Sequence, residues 1–144
     1  MTRTSRLLCL LYAAIALAAF YGTWSENLAY FGPGGHGGGA FLPDLRANPA
    51  TRSISVDLGW FLFAAAVLMV LEARRIGLRF VWAYVVFAFA IAISVTFPLF
   101  LIAREVRMAS NTPAPVVSPL VRALDFAGLA AVGALVAALA IWLH

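Results

Sequence analysis

Lysine is absent from this chain, and cysteine and histidine nearly so: Cys9, His36 and His144 are all there is in 144 residues. Each absence excludes a chemistry. Without lysine, the glycine run near residue 35 is no Walker-type phosphate loop, whose Gly-Lys-Ser/Thr ending supplies the cation. A dinucleotide fingerprint fails too, because no strand precedes the glycines and no soluble α/β unit surrounds them. One cysteine inside an apolar stretch can make neither an intrachain disulfide nor a thiolate metal site. Two distant histidines give no heme axial pair and no nucleophile–base–orienter set. The chain is therefore expected to be non-catalytic, with no metal and no cofactor.

Charge is also scarce. Asp, Glu and Arg together make 11% of the residues, against about a quarter in a soluble domain. What fills the space is apolar: 64% hydrophobic residues and a mean hydropathy of +0.96. So small a globule has too little interior to hide that much apolar surface, so lipid must be the solvent for much of it. The net charge of +4 comes from ten arginines against six acids. The arginines cluster between apolar runs, a membrane-flank pattern that excludes a nucleic-acid stripe.

Four apolar runs read as an all-α integral membrane four-helix bundle forming one domain over 1–144, with helices at about 7–24, 49–75, 80–103 and 119–142. The first follows Arg3 and Arg6. Its basic start also fits a signal peptide, but the segment is expected to be retained. Ala14, Ala18 and Gly22 are spaced for close helix approach. Asn48-Pro49 opens the second helix as cap and first-turn proline, and Gly77 can end it. Pro98 is expected to kink the third span. Ser118-Pro119 repeats the cap-plus-proline start for the fourth, where Ala130, Ala134 and Ala138 form a second small-residue stripe expected to pack inside the bundle. Four crossings put both termini on one side. The arginines then divide evenly, and the first helix and the 72–79 turn assign the termini to the cytoplasm.

Two places could carry chemistry. The Gly-rich loop at 32–39, with His36, is a spacer, an anion-binding backbone nest helped by Arg46 and Arg52, or a segment ordered by a partner. Asp57 is either an interfacial acid complementing a helix N-terminus or a buried acid paired with Arg52 or Arg122. With four crossings, Trp24, Glu26, Asn27, Asn48, Asp57, Trp60 and Asp125 fall at one end and outline a polar pocket. Glu72, Arg74, Arg75 and Arg79 form a flank for anionic lipid or a partner.

Three ordered blocks carry a resemblance: Ala47-Asn48-Pro49 with Asp57; Glu72, Arg74-Arg75-Ile76-Gly77-Leu78-Arg79 and Trp82; and Ser94, Pro98-Leu99-Phe100-Leu101 with Arg104-Glu105. Over about 47–105 the chain resembles a bacterial membrane family, domain of unknown function 2834. The resemblance implies a three-helix protein of the bacterial cytoplasmic membrane, with no inherited activity. The glycine loop and the added fourth helix depart from it. The expected function is a non-catalytic subunit or accessory factor of a larger membrane assembly, bound to lipid and to other subunits or copies of itself. The alternative is a lipid or small-molecule carrier with a pocket near Asp57 and Asp125.

Overall fold

The computed structural model describes residues 1–31, 37–110 and 116–143. His36 and most of the glycine run lie outside them. Among the described residues the chain is all-helical: α1 (Arg3–Asn27), α2 (Phe41–Asp44), α3 (Pro49–Ile76), α4 (Val81–Ala90), α5 (Ile93–Ala109) and α6 (Pro119–Leu143), with short 3-10 turns at Leu28–Tyr30 and Gly38–Ala40.

Three helices are long and apolar enough to cross a membrane: α1, α3 and α6. The start of α3 follows the expected chemistry. The Asn48 Oδ1 accepts from the amides of Ala50 (2.9 Å) and Thr51 (3.0 Å), and the Thr51 hydroxyl accepts from the Asn48 amide at 3.2 Å. This reciprocal cap satisfies amides that have no intrahelical partner. At the other end Gly77 turns left-handed (φ +70°), and the Leu78 amide donates to the Ala73 carbonyl at 2.8 Å. Glycine takes that conformation without a Cβ penalty.

The expected third span is not one helix. It stops at Ala90, leaves helical geometry at Ile91 (φ −110°, ψ −71°) and Ala92 (φ 174°, ψ 145°), and restarts at Ile93. Pro98, the expected kink, lies inside α5 without ending it. The two pieces turn back on each other. Tyr84 of α4 meets Phe100 of α5 edge-to-face, with ring centroids 5.8 Å apart. Arg104 near the end of α5 donates to Glu72 near the end of α3 at 2.7 Å, and Arg107 donates to the Gly77 carbonyl at 3.3 Å. Both ends of the α4–α5 hairpin therefore lie at the C-terminal end of α3. Ten residues of α4 reach only about 15 Å, half the hydrocarbon thickness. Hydropathy missed this because an apolar segment scores the same whether it crosses or returns.

Among the described residues the count of end-to-end helices is thus three, and the expected four-rod arrangement is corrected to three rods and a half-length hairpin. The rods form a row rather than a closed square: α1 lies along α5, the hairpin lies against α3, and α6 lies antiparallel along α3. The core centres on α3 and the hairpin, with Met69, Val70, Ala66, Val81, Val85 and Phe100 fully buried. Close packing of α6 on α3 and the hairpin uses glycine. A Cβ on Gly133 would come within 2.9 Å of the Phe63 ring, and one on Gly128 would overlap the Trp82 ring. The stripes read as packing surfaces are not packed: Ala14, Ala18 and Gly22 on α1, and Ala130, Ala134 and Ala138 on α6, are all exposed, and Gly22 borders a cavity. Four-residue spacing marks a helix face, but bulky neighbours choose which face turns inward.

Candidate functional site

At the arginine-rich end, three helices meet on one acid. Asp125 lies two turns into α6 and is 6% exposed. Its carboxylate accepts from Arg74 Nε (2.6 Å) and Nη2 (2.8 Å) and from Trp82 Nε1 (3.0 Å). The Arg74 fork is bidentate, the strong form of this pair. The acceptor sites of Asp125 are well used, and α6 is tied to α3 and to the mouth of the hairpin. The absent side chain of Gly128, one turn further on, makes room for the Trp82 ring.

Beside it lies a second network. Glu72 accepts from Arg104 at 2.7 Å and from Arg75 at 2.9 Å, and Arg104 also donates to Glu105 at 3.1 Å. Glu105 is buried, while Arg75 is largely exposed and its pair is screened by solvent. Arg79 is exposed, with no ion pair among the described residues. The flank expected from Glu72, Arg74, Arg75 and Arg79 is therefore split. Arg74 and Glu72 are internal clamps, and Arg75 and Arg79 face outward. The clamping partners Arg104, Glu105 and Trp82 were not anticipated. Their sequence signals are their places in the blocks that carry the family resemblance and, for Arg104 and Glu105, the scarcity of charge in an apolar chain.

The expected polar pocket does not form. Asp125 and Asp57 lie at opposite ends of α3, because the hairpin returns α6 to the arginine-rich end. Asp57 is exposed beside a shallow hollow lined by Pro49, Arg52, Ser53 and Val56. Trp60 is also exposed and meets Phe63 edge-to-face. Asn48 is spent on the α3 cap. Trp24 stacks on Phe20 at 5.9 Å, and its Nε1 is buried without a hydrogen-bond partner among the described residues. Of these residues, Glu26 and Asn27 line a mostly apolar cavity.

That cavity, about 460 Å³, lies at the Asn48 end, above the hairpin tip. Its walls come from the last turns of α1, the first half of α3 and the last half of α6. Phe89, Ile91 and Ala92 form the floor, and Phe41, Leu42 and Leu45 lie across the outer end. It exists because the hairpin fills only half the length between α1 and α3. The lining is mostly apolar, with leucine its commonest residue and Thr23, Glu26, Asn27 and Ser55 as its polar side chains. The hydroxyls are spent on their own helices: Thr23 donates to the Ala19 carbonyl at 2.8 Å and Ser55 to the Thr51 carbonyl at 2.7 Å. No group of three metal-ligating side chains occurs among the described residues.

No curated protein and no solved structure matches the chain. A family match covers residues 11–106, from within α1 through most of α5. It reaches further toward the N-terminus than the resemblance read from 47–105, and it stops before α6. Arg74 and Trp82 lie inside the matched region, whereas the Asp125 that binds both lies outside it. Spanning two-thirds of its length, the match makes this chain a member of the family described as protein of unknown function DUF2834.

Proposed function

We propose that this protein is a non-catalytic subunit or accessory factor of a larger assembly in the bacterial cytoplasmic membrane. The observation that carries this reading is the outward direction of the two small-residue stripes. Helices in lipid associate by close backbone approach and van der Waals packing, so such stripes serve helix–helix contact. Here Ala14 and Ala18 sit on one edge of the row and Ala130, Ala134 and Ala138 on another helix, exposed, while the internal contacts are made by other residues. The pair Ala14→Leu and Ala18→Leu tests this. Cross-linked oligomer or co-purifying membrane protein should fall about tenfold while thermal stability in detergent stays within about 0.5 kcal/mol, the usual range for surface substitutions. A wild-type protein that is always a lone monomer in mild detergent sinks the reading.

The same proposal includes an orientation. With α1, α3 and α6 crossing and α4–α5 entering half way, the termini lie on opposite faces. Arg3, Arg6, Arg74, Arg75, Arg79, Arg104, Arg107 and Arg122 then share one face, and Arg46 and Arg52 the other. Arg46 supports the grouping, since its guanidinium lies 4.9 Å over the Trp142 ring near the end of α6. The even division expected from four crossings becomes a strong bias, and positive flanks face the cytoplasm. The N-terminus is then cytoplasmic, as expected, and the C-terminus is not. Alkaline phosphatase fused after α6 should be active and a fluorescent protein fused there dark. The reverse pattern refutes this orientation.

A further inference from the structure

The chamber above the hairpin tip has no counterpart in the assembly reading and is independent of it. In a bilayer a space of this kind does not stay empty. A crossing helix would fill the slot between α1 and α3 along its whole length, but the hairpin fills only the arginine-rich half. The remaining volume, about 460 Å³, is within the ordinary range for small-ligand sites, about 300–1,000 Å³. Its walls are apolar and suit a hydrocarbon chain: Leu58, Leu62, Phe89, Leu135 and Leu139.

The polar side chains decide the head group. Thr23 and Ser55 are internally bonded, which leaves the Glu26 carboxylate and the Asn27 amide at the end of α1. Glu26 has no ion pair among the described residues, and the only arginines at this end are Arg46, stacked on Trp142, and Arg52 beside Asp57. An acid without a cation at the rim of an apolar chamber complements a positively charged hydrogen-bond donor. We infer that the chamber holds one hydrocarbon chain of an amphiphile whose head carries a protonated amine. The chain lies over the hairpin tip, and the amine meets Glu26 and Asn27.

The test uses the whole protein in phosphatidylcholine nanodiscs. Three twelve-carbon probes share a photoactivatable diazirine near the chain end and differ only in the head: amine, alcohol or carboxylate. Labelled residues are mapped by mass spectrometry. The amine probe should label chamber residues such as Leu58, Leu62 and Phe89 at least fivefold more than the carboxylate probe. Glu26→Gln should erase that preference while leaving the alcohol probe unchanged. Leu135→Trp, which fills the chamber from its wall, should remove chamber labelling by all three. Competition separates the sources. Loss of label with added phosphatidylethanolamine identifies the bilayer lipid, and loss only with free alkylamine identifies a soluble amphiphile. The inference is overturned if labelling is no greater in the chamber than at the exposed α1 residues Leu7, Leu11 and Leu17, or if the amine preference survives Glu26→Gln. Circular dichroism and elution volume of each variant distinguish a lost site from a lost fold.

Discussion

Asp125→Ala is expected to destabilise the protein by about 3 kcal/mol, the low end of what removing one partner of a buried ion pair costs. The low end applies because Arg74 keeps 29% of its side chain exposed, against 9% for Asp125, and can turn its head toward water. The loss has two sources. Arg74 forfeits a bidentate partner, and the Trp82 indole N–H is left with no acceptor. The tie between α6 and the other helices weakens with both. Asp125→Asn should be milder, because an amide oxygen can still accept from Trp82 or Arg74 but carries no charge. The informative variant is Asp125→Leu with Arg74→Met, which removes both charges and fills the space with apolar atoms. Such replacements of buried pairs are often neutral or stabilising, so the double variant should regain most of what Asp125→Ala loses. Denaturant-induced unfolding in mixed micelles, followed by tryptophan fluorescence, measures all four proteins. If Asp125→Ala unfolds like the wild type, the pair is not a clamp.

Gly128→Ala is expected to cost about 2 kcal/mol, although alanine favours a helix over glycine by about 1 kcal/mol. The added methyl would overlap the Trp82 ring, and overpacking of this kind costs about 1–3 kcal/mol. To escape, the indole must move away from Asp125 and weaken its 3.0 Å bond, where hydrogen bonds to charged groups contribute about 1.5–3 kcal/mol. The two sites should be strongly non-additive. In a Trp82→Leu background the overlap is gone, and Gly128→Ala should turn neutral or stabilising by up to about 1 kcal/mol. The near-ultraviolet circular dichroism of the single variant should change with its stability, since the indole is displaced. Equal destabilisation in both backgrounds rules out the Trp82 contact as the cause.

The two variants bear on how α6 belongs to the molecule. The family match ends at residue 106, yet the matched Arg74 and Trp82 find their acid only in α6. The arrangement makes α6 a cover whose main polar fastening is Asp125 and whose close fit comes from Gly128 and Gly133. Both features are single residues with no spacing pattern. Gly128 and Gly133 are legible in the sequence as thin places in a helix, but what passes through them is not. Asp125 is legible as a costly acid, but its distance from Arg74, 51 positions away in the chain, depends on which way the hairpin turns.

Composition and local chemistry determined the class of the molecule. The apolar excess requires a lipid-facing helical protein. Asn48-Pro49 and Gly77 set the limits of α3. The lack of lysine and the scarcity of histidine and cysteine remove the common catalytic and cofactor sets. These features are local, because a cap, a helix stop or an apolar run is made by residues within a few positions of one another. Only the tertiary structure decided that residues 81–109 return instead of crossing, and three results follow from that turn. Arg104 and Arg107 come back to Glu72 and Gly77, Asp125 moves to the arginine-rich end away from Asp57, and a chamber opens beneath α2. Hydropathy measures how readily a segment enters lipid and carries no direction. The direction was set by pairings between residues far apart in the chain, which no local pattern records.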